Sequence, residues 1–203
     1  MKVDDFPDMP GVAVPDEPQE SAPHKSFFTP GNIVLMLGLT LVVIVVGMQL
    51  MSQQQSRPLS GPAPEFNVTS FDGVTYDLAQ MRGEIVIVNF WGSWCGPCRD
   101  EAPILEQLHR DYADRGVTLL GITYLDDEDN SLRFMEEYNM TFPSAPDPSL
   151  AAADAYHITG APETYVIDQN GNIVEDYVFI GPITEISVQR LRNRLDELIA
   201  ANS

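Results

Sequence analysis

Val88-Asn89-Phe90-Trp91-Gly92-Ser93-Trp94-Cys95-Gly96-Pro97-Cys98-Arg99-Asp100-Glu101-Ala102-Pro103 decides how the rest of this chain is read. Cys95 and Cys98 are its only cysteines. They follow the apolar run Ile85-Val86-Ile87-Val88-Asn89-Phe90, which reads as a central strand covered on both faces. An amphipathic helical pattern then runs from about Cys95 to Arg115, with Ile104, Leu105, Leu108 and Tyr112 on its buried face and Pro103 as a point of kinking. A strand that delivers a Cys-x-x-Cys pair to a helix start predicts dithiol redox chemistry. The positive end of the helix favours a thiolate on the first cysteine, and the second lies within one turn, able to attack a mixed disulfide. Two other readings compete. A structural zinc site needs two more soft ligands, and His24, His109 and His157 are scattered without ligand spacing. A purely structural disulfide across two residues closes too small a loop to restrain the unfolded chain much.

Upstream of the strand, Phe66-Asn67-Val68-Thr69 and Val74-Thr75-Tyr76 flank Asp72-Gly73 and predict a hairpin, followed by a short helical turn at Leu78 to Met81. Residues 52–64, rich in Gln, Ser, Pro and Gly, read as a linker. From Ser26 to Ser56 there is no charged side chain, and 31–51 is apolar all round and long enough for a transmembrane helix. A cleaved signal peptide is the rival reading, but the leader is long and acidic and no small-residue cleavage site follows. Lys25 before the span and Arg57 after it give the positive-inside rule little to act on. Residues 1–30, rich in Pro, Asp and Glu, read as a disordered tail.

Downstream, Val117 to Thr123 is the next strand, Asp126 to Asn130 a solvated loop and helix cap, and Ser131 to Tyr138 a helix. A short extended piece near Phe142 and a helix near Ser149 to Tyr156 follow. Thr164 to Ile167 and Ile173 to Phe179 form a hairpin around Asp168 to Asn172. Thr184 to Ala200 closes the chain as a helix with Val188, Leu191, Leu195, Leu198 and Ile199 inward. A β-α-β around the cysteines requires a parallel crossover and the closing hairpin is antiparallel. The fold class is therefore α/β, a mixed central sheet with helices on both faces, occupying 65–203.

Charge narrows the partners. The chain carries a formal net charge of −19. Six acids stand against two lysines in the first thirty residues, and 24 acids against nine arginines from residue 52 onward. This balance argues against nucleic acid as a partner and suits solubility, a basic protein partner or simply a generally acidic proteome. Two cysteines that can pair with each other fit an oxidising compartment.

With Gly160-Ala161-Pro162-Glu163-Thr164-Tyr165-Val166-Ile167-Asp168 added to the cysteine stretch, the chain resembles the thioredoxin superfamily. More narrowly, it is similar to the membrane-anchored thiol–disulfide oxidoreductases of the TlpA, ResA and CcmG/DsbE group. The resemblance covers residues 65–203 and implies a thioredoxin-like sheet with an N-terminal hairpin and an insert between Tyr124 and Tyr156. It implies Cys95 as the exposed nucleophile and Cys98 as the buried resolving thiol. Pro162 matches the family's cis-proline; the residues alone leave cis and trans equally open. The resemblance further implies that the Ala161 backbone pairs with a client as an added strand, with Trp94, Gly96, Pro97 and Pro162 completing the client surface. Trp91 and Trp94 are expected to pack and shield. Glu101, three residues after Cys98 on the same helix, and Glu163 match acidic positions of the group's active site, against the alternative of solvated surface acids. Where thioredoxins carry a buried aspartate six residues before the first cysteine, this chain has Asn89, so proton transfer falls to Glu101, Glu163 or water.

The implied function is a tethered oxidoreductase in a prokaryotic cell membrane, single-pass, with the N-terminus cytoplasmic and the catalytic domain outside. It would take electrons from a membrane thiol carrier and reduce client disulfides, apocytochrome c foremost. No cofactor beyond the Cys95–Cys98 disulfide and no metal is implied. The alternatives are a disulfide-introducing oxidant and a Cu(I)-handling module, the latter without an obvious third ligand; a peroxidase of the redoxin type would place its cysteine in another motif.

Overall fold

The computed structural model describes residues 30–53 and 57–201. The chain divides into two compact units, Met1–Gln53 and Gln54–Ser203. In the first, α1 runs Pro30–Gln53 over 24 residues. Its side chains from Val34 to Val46 that are large and apolar are exposed. Among the described residues no helix is long and apolar enough to cross a membrane, so the transmembrane helix expected over 31–51 is not borne out. The tail expected over 1–30 lies outside the described residues except for Pro30.

The second unit is a six-stranded mixed sheet beside a two-stranded one. Its strands are β1 Gly61–Pro62, β2 Asn67–Thr69, β3 Thr75–Asp77, β4 Ile85–Trp91, β5 Val117–Thr123, β6 Ser144–Pro146, β7 Glu163–Ile167 and β8 Asn172–Ile180. The helices are α2 Gly96–Tyr112, α3 Glu128–Glu137, α4 Ala151–Ala155 and α5 Glu185–Ala200. The large sheet has the order β1-β8-β7-β4-β5-β6, and β2 and β3 pair separately as the expected hairpin. β4, β5 and β6 are parallel; β7 is antiparallel to β4 and β8, and β1 to β8.

The apolar run at β4 is central because both its faces are covered: every residue from Ile85 to Trp91 is buried. Ile85, Ile87 and Trp91 pack with α2, Phe134 of α3 and α5 on one face. Val86, Val88 and Phe90 pack with Phe66, Val68, Ala152, Ala153 and Tyr156 on the other. Helices therefore flank the sheet on both sides, as expected of a thioredoxin-like α/β fold. Helix α2 continues through Pro103 and ends in a 3₁₀ turn at Ala113–Arg115, which Gly116 closes at φ 77, a conformation glycine adopts without penalty.

Three details differ from the sequence reading. β1 lies inside the stretch read as a linker: Gly61 and Pro62 pair with Ile173 and Asn172, so the sheet edge begins before residue 65. Helix α3 starts at Glu128 because Asp127 caps it, accepting the backbone N–H groups of Asp129 and Asn130. The extended piece expected near Phe142 falls at Ser144–Pro146.

Candidate active site

β4 ends at Trp91 and α2 begins at Gly96, so Cys95 occupies the helix N-cap. Cys95 and Cys98 are joined in a disulfide with Cα atoms 5.3 Å apart. The Sγ of Cys95 accepts the backbone N–H of Cys98 at 3.2 Å, the contact through which the helix end would stabilise a thiolate. Cys95 is only 2% exposed, the same as Cys98. This corrects the exposed nucleophile: in the disulfide form, bonding to Cys98 and to its N–H draws the first sulfur inward, among core side chains that include Trp91 and Ala102. The exposed residues around it are Trp94, Gly96 and Pro97.

Trp94 is half exposed, and its indole N–H is shared between the carbonyls of Tyr124 and Leu125 at 3.1 Å each. It is thus a fixed rim rather than a shield. Gly92 accommodates the indole ring, because a Cβ there would lie 2.6 Å from Nε1. Trp91, by contrast, is buried and stacks on Phe134 at 5.0 Å. Asp126, read from the sequence only as part of a solvated loop and helix cap, accepts Ser93 N–H and Ser93 Oγ–H at 2.7 Å each, and also the Ser131 hydroxyl at 2.8 Å. It pins the segment immediately before Cys95 to the start of α3.

The Ala161–Pro162 peptide bond is cis. Pro162 is buried, and Ala161 packs against the cluster that holds both cysteines. The Pro162 carbonyl accepts Gly181 N–H at 2.9 Å, which ties this segment to the turn after β8.

Glu101 is 1% exposed. Its Oε1 accepts the Asn89 amide at 2.9 Å and its Oε2 the Ile183 N–H at 2.8 Å; the Asn89 amide also donates to Thr164 Oγ1 at 2.9 Å. Burial pushes the Glu101 carboxyl up to about 7, against the pull of these two donors. Asn89, Trp91, Cys98 and Glu101 line one cavity of about 10 Å³, at the threshold for a single water. Helix position and Asn89 together bring this carboxyl to the resolving cysteine's side of the sheet.

Glu163 is not brought there. It pairs with Phe90 across β7 and β4, and paired residues share a face, so its side chain lies on the face opposite Cys98. It is buried at 2% exposure, but its partners are Arg57, through Nε at 3.0 Å and Nη2 at 2.9 Å, and the Tyr165 hydroxyl at 3.1 Å. This corrects the placement of Glu163 beside the thiols: its register opposite Phe90 turns it to the other face, as side-chain alternation along a strand requires. His157 sits half-buried in a left-handed turn at φ 53, away from any assigned chemistry. Among the described residues no group of three His, Cys, Asp or Glu side chains is placed to hold a metal ion.

Residues 59–176 match the AhpC/TSA family model. The chain is 34% identical over 127 residues to the thiol-disulfide oxidoreductase ResA of Halalkalibacterium halodurans, covering 63% of this chain and 71% of that one. It is 27% identical over 157 residues to ResA of Geobacillus kaustophilus, covering 77% and 89%. Among solved structures, a thiol:disulfide interchange protein of the thioredoxin family from Chlorobium tepidum matches with TM-score 0.59 at 31% identity, covering 69% of this chain and 97% of that one.

Proposed function

The chain belongs to the AhpC/TSA family and is a thiol–disulfide oxidoreductase of thioredoxin-like fold, and from that premise we propose that it is a membrane-tethered, extracytoplasmic reductant of client disulfides, those of apocytochrome c foremost. The observation that supports this reading best is the Cys95–Cys98 disulfide at the start of α2 with Glu101 buried behind it. A carboxylate beside a thiol disfavours its thiolate. At Cys98 the reduced form then gains no thiolate stabilisation of the kind that makes an oxidant, which favours the disulfide and suits a reductant.

In the proposed cycle the Cys95 thiolate attacks one sulfur of a client disulfide. A Cys95–client bond forms as the client bond breaks, and the departing sulfur takes a proton. Cys98 gives its proton to Glu101, directly or through a water in the cavity, and attacks Cys95 Sγ. The Cys95–Cys98 bond forms and the second client sulfur leaves as a thiol. Two electrons and two protons pass to the client, and a membrane thiol donor restores them. Trp94, Gly96, Pro97, Ala161 and Pro162 hold the client, with the Ala161 backbone pairing as an added strand. No group beyond the two cysteines is called on to carry electrons. The apolar run of α1 tethers the domain and raises its effective concentration near other membrane-bound partners.

Two measurements test this. The purified full chain should have a reduction potential nearer to about −270 mV than to about −120 mV, the ends of the range for this fold; the higher value would make it an oxidant. Cys98→Ser should accumulate clients as mixed disulfides on Cys95, and Cys95→Ser should not. Equal trapping by both variants would remove the division of labour.

A further inference from the structure

We propose that Arg57 is a positioning residue for the client-binding segment, so that the first charged side chain after the apolar run forms part of the reaction's specificity. The inference rests on Ala161 and Pro162 receiving the client, as proposed above. Arg57 reaches across 106 positions of sequence to Glu163. Its Nε and Nη2 bind the two carboxylate oxygens at 3.0 and 2.9 Å, a fork-to-fork geometry that fixes orientation as well as charge. Nη2 also donates to the Thr159 hydroxyl. One guanidinium therefore holds Thr159 and Glu163, which bracket Ala161 and Pro162 in the chain.

Burial makes the clamp consequential. Glu163 is 2% exposed and Arg57 is 29% exposed, so the pair is shielded on the carboxylate side. Removing the cation leaves a buried carboxylate with the Tyr165 hydroxyl as its remaining hydrogen-bond donor, and breaking one side of such a pair costs far more than the pair contributes. The carboxylate can escape that cost only by moving, and moving it displaces the residue joined directly to Pro162. β7 holds Glu163 through Phe90 and Ile180, so the displacement is directed into the stretch that precedes it, where Ala161 sits. A client that binds by strand pairing reads the position of that backbone. A small disulfide that only meets Cys95 does not.

The test compares two substrates in single turnovers of the full-length chain, reduced beforehand and freed of the reductant: the interchain disulfides of insulin, and the small aromatic disulfide DTNB. Arg57→Met keeps the stem and removes the guanidinium. Its single-turnover rate constant for insulin should fall about tenfold relative to that for DTNB, the loss expected for one charge-assisted hydrogen-bonded contact, and the fall should lie in the half-saturating insulin concentration and not in the rate at saturation. Arg57→Lys should recover part of it. In a Glu163→Gln background Arg57→Met should add nothing. An unchanged insulin-to-DTNB ratio, or equal losses on both, would overturn the inference. Should Arg57→Met lose its folded signal, Thr159→Val is read with the same pair, and a ratio equal to wild type is the overturning result. Failure of the wild-type chain to reduce insulin would sink the functional reading itself and is seen before any variant is compared.

Discussion

Glu101 is a carboxyl lifted to about 7 by burial, so it changes charge where the thiols work. Its charge beside Cys98 should hold that thiol up. Glu101→Gln should lower the apparent pKa of the thiol pair and slow disulfide exchange near neutral pH, read as alkylation rate against pH; the steps belong to the coupled set and not to one residue. Glu163→Gln should leave that profile superimposable on wild type, because its side chain lies on the other face of the sheet. A shift with Glu163→Gln equal to that with Glu101→Gln would show that the two faces are electrostatically joined. Burial of Glu101 also makes stability pH-dependent. Its carboxyl is raised in the folded state, so its contribution is fully present below the ordinary value of 4.5 and is lost as pH rises through about 7. The amount at stake is about 3 kcal/mol. Urea midpoints of the oxidised protein should fall between pH 5 and pH 8 from this source, and Glu101→Gln should flatten that slope.

Elements differ in how far sequence exposes them. β4, α2, β5, the β7–β8 hairpin and α5 were legible because burial leaves a continuous apolar run or an apolar period, displayed over elements of five to seventeen residues bounded by turn signals. The three-residue β6 and five-residue α4 carry too few positions, and α4 is entered through Leu150 at φ 58, a conformation that a leucine does not signal in sequence. Glu101 was legible from its three-residue spacing to Cys98. Arg57 was not, because it sits in linker composition and its partner is fixed only by sheet register. Asp126 was hidden in a run of acids whose individual duties differ: it holds Ser93 and Ser131, while Asp127 caps α3. β5 also contains a glycine whose smallness shapes the site from behind. A Cβ on Gly121 would press on the Ser144 hydroxyl and stand 2.6 Å from Trp91 Nε1. Trp91 lines the cavity with Cys98 and Glu101, so it cannot retreat without disturbing them. Gly121→Ala should cost about 1–3 kcal/mol, seen as a lower denaturant midpoint at unchanged m-value. An unaltered midpoint would mean that β5 and β6 yield to the added methyl.

For the whole molecule, the proposed tether raises the question of which side of a membrane the domain would face, and three physical features bear on it. α1 is 24 residues, and among the described residues no helix is long and apolar enough to cross a membrane, so the proposed tether rests on the sequence of the run. The uncharged stretch from Ser26 to Ser56 contains all of it, so no charge within the helix opposes insertion. Flanking charge decides little, since Lys25 stands before the run and Arg57 after it. What remains is the chemistry of the cysteines. Reducing thiol pools keep cytosolic pairs open, whereas a Cys95–Cys98 disulfide that cycles against client disulfides needs a compartment where such disulfides form. Under the proposed topology the acidic leader, six acids against two lysines, would lie inside and the redox domain outside. A phosphatase reporter that folds only when its own disulfides form should be active when fused after Gln55, and a reporter fused before Ser26 should be inactive. Replacing two apolar residues in the middle of α1 by arginine should abolish the first signal by blocking insertion, at a cost of about 5–7 kcal/mol on the insertion scale. Activity of the fusion before Ser26, or its absence after Gln55 in the unaltered chain, would place the domain in the cytoplasm and remove apocytochrome c as client.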